Sequence, residues 1–264
     1  MADALARRLA TILPGGRGVW VPMDHSASSF PEHGIMDSDS AVDSAIEGGA
    51  DAIVMHKGAV SHHFARTSWS RFVCHASLST IHGGPRSQDK VLVSNVSESH
   101  SRGAIGMSAQ VNLGDPAEPE MIGRMSRITT EAFEAGLPVL GMFYPRGVNL
   151  SLDPSDLTGG VAHSARLAWE LGCNAVKVPW TGSEESFRIV TSSVPIPVLV
   201  SGGPRDGKFS QVLELVEKSI NAGGSGVCIG RHVFAAEDPA SHIRSLRAIV
   251  HDGANAEEAA RHLR

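Results

Sequence analysis

One tyrosine, Tyr144, and three cysteines, Cys74, Cys173 and Cys228, are all that the 264 residues contain of those two side chains. The cysteines are odd in number and each lies in an apolar context. A disulfide framework is therefore not expected, and a reducing cytoplasm is. Their spacing is not that of a zinc site. No apolar stretch nears the roughly 20 residues of a membrane span, so no membrane contact is expected. The formal net charge is −5 and no run of five or more basic residues occurs, which leaves no footprint for a nucleic acid. At the N-terminus, MADALARRLATILPGGRG carries Arg7 and Arg8 on a helical pattern. Its apolar residues are interrupted and a strand-like run follows at once, so it does not read as a signal peptide. G-x-G-x-x-G between a first strand and a first helix is missing, and so is H-E-x-x-H. Thirteen histidines invite a metal. His25, His56 and His75 would end three successive strands and form a three-histidine site, whereas the adjacent His62 and His63 are poorly spaced to share an ion on one helix. Neither a metal nor a cofactor is expected.

What the sequence does have is a rhythm of short apolar runs and longer amphipathic stretches. Eight runs read as strands: GVWVPM (18–23), DAIVMH (51–56), RFVCHASL (71–78), AIGMSAQVNL (104–113), PVLGMFY (138–144), NAVKVPW (174–180), PVLVSGG (197–203) and GVCIGR (226–231). Helix-like segments separate most of them. Gly48, Gly136, Gly172 and Gly223 follow apolar patterns as C′ residues would. Ser183 before Glu184 and Glu185 reads as an N-cap with acids in the first turn. Strands alternating with helices imply parallel β-α units. Eight units in 264 residues leave roughly 33 each, and the runs are apolar on both faces. The expected fold is α/β, a single (β/α)8 TIM barrel spanning residues 1–264, with an extra N-terminal helix over its N-terminal mouth. Residues 79–90 read as a long loop, followed by a short strand-like run and a helix up to 103.

Barrel active sites lie at the C-terminal ends of the strands, so polar residues there are the candidates. Lys177 lies inside Ala175-Val176-Lys177-Val178, and a lysine in mid-strand is costly to bury unless it is paired or neutralised. Alternation turns Val176 and Val178 toward the helices and Lys177 into the barrel. Desolvation and nearby cations would lower its pKa and make it nucleophilic toward a carbonyl. A buried Lys–Asp pair, or a lysine reaching to the barrel mouth, fits the same placement. Lys57, after strand two, is either the second cation of the site or a solvated loop lysine. Asp24 ends strand one, as a proton carrier or as a cap or ion-pair partner. Tyr144 closes strand five, as a proton donor or as packing, with Arg146 just beyond it. His25 and Gln110 end strands one and four. Ser201-Gly202-Gly203-Pro204 and Gly230-Arg231 follow strands seven and eight, where barrels commonly bind phosphate through backbone N–H groups. Arg231 would add a bidentate contact.

Together these residues resemble a known family. PMDH, HKG, DKVLV, FYPRG, VK followed by WTG, SGGP, IGR followed by F, and AIVHDGA occur in order across nearly the whole chain. The pattern is similar to that of archaeal-type class I fructose-bisphosphate aldolases, and most of all to 2-amino-3,7-dideoxy-D-threo-hept-6-ulosonate synthases. The resemblance implies that Lys177 forms a Schiff base, that Tyr144 is the general acid/base, and that Asp24 assists proton transfer. It puts Ser201, Gly202, Gly203, Gly230 and Arg231 at phosphate-binding positions. Lys57, His25 and Arg146 are expected as further substrate contacts from their place at strand ends, not from the resemblance. Two blocks depart from the pattern. Gln110-Val111-Asn112 stands where the family often has His-Val-Asn, and SLSTIHGGPRSQ replaces a Ser/Thr-rich loop with a Gly-Pro-Asp turn. Both departures bear on the substrate pocket. The implied function is a class I aldolase or transaldolase-type synthase joining a phosphorylated ketose donor to a small aldehyde acceptor. Aspartate semialdehyde would be the acceptor in an aminodideoxyheptulosonate-type or aminohydroxybenzoate-precursor synthase. A fructose-bisphosphate aldolase is the near alternative; a non-covalent phosphate-binding isomerase or a sugar-phosphate sensor is the distant one. A homo-oligomer is expected.

Overall fold

Eight parallel strands close into a barrel in the computed structural model, which describes residues 2–153, 156–203 and 207–263. They are β1 (Gly18–Pro22), β2 (Ala52–Met55), β3 (Phe72–His75), β4 (Ala104–Leu113), β5 (Val139–Pro145), β6 (Ala175–Val178), β7 (Val198–Ser201) and β8 (Gly226–Cys228). Each pairs with its neighbours in sequence, and β8 closes on β1 through Gly18 opposite Gly226. The expected (β/α)8 barrel is thus the observed one.

Period-two alternation divides the side chains between two cores. Val176, Val178, Val198, Val200 and Phe143 point outward into the layer shared with the helices. Trp20, Val54, Val73, Leu140, Met142, Ala175, Leu199 and Cys228 fill the barrel interior. The N-terminal helix, Ala2–Ile12, brings Leu9 and Ile12 against this inner cluster, and the Trp20 indole donates to the Ile12 carbonyl at 2.7 Å. The helix therefore closes the N-terminal mouth, and the opposite mouth is the open one.

The helix Lys57–Thr67, between β2 and β3, escapes the apolar periodicity. Its buried face is Val60 and His63, so a histidine occupies a position where the pattern calls for an apolar residue. The third apolar run is also divided. Phe72–His75 joins the barrel, while Ser77–Leu78 leaves it to pair antiparallel with Val91–Leu92. This two-stranded ribbon organises the segment that reads as a long loop. Among the expected C′ glycines, Gly136, Gly172 and Gly223 take positive φ, but Gly48 is right-handed and the left-handed turn falls one residue later, on Gly49. Ser183 caps its helix as expected, in a reciprocal pair with Ser186.

Candidate active site

The open mouth holds a cavity of about 500 Å³. Of the strand-end candidates named above, Lys57, His56 and His75 do not line it and the rest do: Asp24 and His25 beyond β1, Gln110 on β4, Tyr144 and Arg146 at β5, Lys177 on β6, Ser201 to Gly203 at β7, and Gly230 and Arg231 at β8. Pro204 of the SGGP block lies outside the described residues.

Lys177 is buried and reaches into the cavity between Met142 and Leu199, its register partners on β5 and β7. Tyr144, two residues beyond Met142, and Cys228 on β8 both interact with the Lys177 amine. Burial works to lower the Lys177 pKa. The Cys228 and Tyr144 groups and the Asp24 carboxylate outweigh it, so the net direction is up. This reverses the expectation of a lysine neutralised at rest: it sits among acids and keeps its proton. The Cys228 thiol is itself pushed up to about 11 by burial and is neutral near pH 7, whereas the Asp24 carboxylate is charged there.

Asp24 forms the acidic centre. Its carboxylate lies 3.9 Å from His75 Nε2 and 3.9 Å from His25 Nδ1. Burial alone would raise its pKa, but His75, His25 and Lys177 hold it well below the ordinary carboxylate range. Its side chain makes no helix-cap bond and no ion pair with Lys57. His75 is buried behind it, with Nδ1 2.7 Å from the Ser108 hydroxyl. Burial pushes His75 down to about 3. His56 donates from Nδ1 to the His75 carbonyl at 2.9 Å.

On the β7–β8 side the backbone approaches the cavity closely. A Cβ on Gly230 would lie 2.1 Å from the Pro22 carbonyl oxygen, so no other residue fits there without moving β1. Gly203 has φ +66°, in the left-handed region, and Arg231 donates to its carbonyl at 3.1 Å. The guanidinium is thereby held over the glycine turn.

Lys57 is one of the exceptions. It opens the helix Lys57–Thr67 and pairs with Glu98 at 3.1 Å, outside the cavity. The second amine of the cavity is Lys90, from the loop after β3. It was legible only as part of the DKVLV block, because no periodicity shows where a loop lysine points. The histidines are also sorted differently. His25, His56 and His75 surround Asp24 rather than converge as a ligand set. Among the described residues, the group with metal-ligand spacing is Asp39, His62 and His63, on helices outside the mouth. His62 and His63 reach the same Asp39 oxygen, at 2.9 and 3.6 Å, although they are adjacent in sequence.

The sequence matches the DeoC/LacD family aldolase profile over residues 19–236. It is 37% identical over 236 residues to a 2-amino-4,5-dihydroxy-6-oxo-7-(phosphonooxy)heptanoate synthase of Streptomyces griseus, covering 88% of this chain and 84% of that one. It is 35% identical over 253 residues to 2-amino-3,7-dideoxy-D-threo-hept-6-ulosonate synthase 1 of Archaeoglobus fulgidus, covering 96% and 93%. An archaeal fructose-1,6-bisphosphate aldolase, solved with its catalytic lysine covalently bound to the carbinolamine intermediate of its substrate, superposes with a TM-score of 0.79 at 25% identity, covering 93% of this chain and 99% of that one.

Proposed function

The chain belongs to the DeoC/LacD family of aldolases and is an enzyme of the class I aldolase type; from that premise we propose that it adds a phosphorylated ketose donor to a small aldehyde acceptor through an imine on Lys177. One observation carries the reading. Lys177 is a buried lysine on an otherwise apolar strand, and it faces a cavity it shares with Tyr144 and Asp24.

The steps follow from what each group can do. The donor phosphate sits against Gly202, Gly203, Gly230 and Arg231, which brings the ketone carbon to Lys177. The amine, once deprotonated, adds to that carbon. The carbinolamine loses water as Tyr144 supplies a proton to the departing hydroxyl. The iminium draws electrons from the adjacent C–H bond, whose proton leaves to a base, and the resulting enamine carbon attacks the aldehyde carbon as the aldehyde oxygen takes up the proton from that base. Water then releases the product and restores the amine. Asp24 holds positive charge in the site while the lysine passes from ammonium to iminium. The named products of the Streptomyces and Archaeoglobus relatives favour an acceptor that brings an amino acid backbone, such as aspartate semialdehyde. Cleavage of fructose bisphosphate is the second reading, favoured by the cations at both ends of the cavity. A cytoplasmic location and a homo-oligomer belong to the same proposal. They are supported by three free, buried cysteines and by exposed Phe30, Met36 and Val148 on loops beyond the strand ends.

The test is borohydride trapping with dihydroxyacetone phosphate. One adduct per chain is expected, on the peptide containing Lys177, and Lys177→Met should abolish both trapping and turnover. An active Lys177→Met protein, or an adduct on another lysine, sinks the assignment, and a protein that traps nothing returns the isomerase or sensor reading.

A further inference from the structure

The cavity has cations on two opposite arcs. In the closed ring β8 stands across from β4. Arg231 belongs to the β8 side, whereas Lys90, Gln110 and Arg146 come from β3, β4 and β5 or their loops. All the glycines lining the cavity, Gly202, Gly203 and Gly230, belong to the β7–β8 arc. The far arc therefore offers side-chain donors without a glycine cradle.

Lys90 is held there by its surroundings. Only 8% of it is exposed. Asp89, the acid beside it in sequence, is taken up by Arg86 and Arg124. Arg124 also donates to the Lys90 carbonyl at 3.0 Å, and buried Asn112 donates to the Gln88 carbonyl at 2.7 Å. The backbone on both sides of Lys90 is thus pinned. Among the described residues no carboxylate lies within ion-pair distance of its amine. Burial first, and then Arg146, push its pKa down to about 8 against the pull of Asp24. Arg146 is fixed as well. Its Nε donates to Asn112 Oδ1 at 2.9 Å, and its guanidinium lies 4.8 Å over the Tyr144 ring. Gln110 donates to the same Asn112 oxygen at 2.8 Å.

A buried, pinned cation with no described carboxylate in ion-pair distance is costly unless something anionic completes it. We propose that Lys90, flanked by Arg146, binds the carboxylate of the acceptor aldehyde and so selects acceptors bearing a short carboxylate. A carboxylate fits better than a second phosphate, because two fixed side-chain cations match one planar anion while the backbone N–H donors suited to a phosphate lie on the opposite arc. The inference rests on the proposed reaction, in which the donor occupies the β7–β8 arc and the acceptor the other.

The experiment compares succinic semialdehyde, propionaldehyde and glyceraldehyde 3-phosphate as acceptors, with dihydroxyacetone phosphate as donor, in wild type, Lys90→Met and Lys90→Arg. The ratio of kcat/KM for succinic semialdehyde over propionaldehyde should fall at least 10-fold in Lys90→Met, chiefly through KM, and be largely restored in Lys90→Arg. Thermal melts establish that the variants are folded. An unchanged ratio overturns the proposal, and so does a loss confined to glyceraldehyde 3-phosphate. Calorimetric binding of succinate reads the site without turnover: wild type should bind it and folded Lys90→Met at least 10-fold more weakly, and equal binding by the two overturns the assignment. A wild type that forms no borohydride adduct refutes the imine chemistry, and succinate binding then decides the anion site by itself.

Discussion

At Lys177 the decisive quantity is the proton it carries at rest. Tyr144 and Asp24 stand beside the amine, and the raised pKa means that the proposed imine formation draws on a minor, deprotonated fraction. The trapping rate at limiting donor should therefore climb as pH rises through the neutral and alkaline range. Asp24→Asn removes a negative charge beside the amine, which lowers the lysine pKa. The climb should then move to lower pH, even as turnover falls through loss of proton handling. Stopped trapping at a series of pH values checks this, and an unshifted profile in Asp24→Asn counts against the electrostatic account. Arg231, in the proposed reaction, acts on donor affinity instead. Losing a charge-assisted hydrogen bond costs about 1.5–3 kcal/mol, or roughly 10- to 150-fold in binding. Arg231→Ala should raise KM for a phosphorylated donor by that order and still allow trapping at high donor concentration. Unchanged donor affinity moves the phosphate elsewhere, Arg146 being the alternative.

At the scale of elements, the site depends on where β8 passes β1. Gly230 lies so close to the Pro22 carbonyl that an added methyl must displace backbone rather than a flexible side chain. Overpacking of this kind costs about 1–3 kcal/mol. Gly230→Ala should lower the melting temperature and weaken the donor, because the displaced turn carries Arg231. A variant with wild-type melting and affinity would mean that β1 and β8 separate easily at the mouth. The ribbon of Ser77–Leu78 and Val91–Leu92 does a parallel job on the other arc. It turns a loop of polar and glycine residues into a frame that delivers Lys90.

For the molecule as a whole, acid should be destabilising in a definable window. His75 is buried and its pKa is depressed from 6.5 to about 3, so the folded protein resists a proton that the unfolded chain accepts. Below about pH 6.5 the unfolded state gains that proton, and stability falls as the pH drops toward 3, by up to about 1.4 kcal/mol per pH unit for one group. Denaturant titrations at pH 7 and pH 5 check it: the loss should be smaller in a folded His75→Asn variant, and an equal loss would assign it to other groups. The sequence by itself determined the barrel and much of its mouth. Alternation along β6 turns Lys177 inward whatever surrounds it, and the β-α rhythm puts Asp24, Tyr144, Gly202 and Arg231 at strand ends that converge by topology. Three matters were decided only by the tertiary structure. Lys57 became the first residue of a helix and turned to Glu98, while Lys90 entered the cavity from a ribbon. His63 took an apolar position in the helix Lys57–Thr67 and hid that helix from its pattern. The Lys177 pKa went up rather than down. In each case the outcome depended on charges and contacts between segments distant in sequence, and periodicity carries no information about which loop side chain meets which charge.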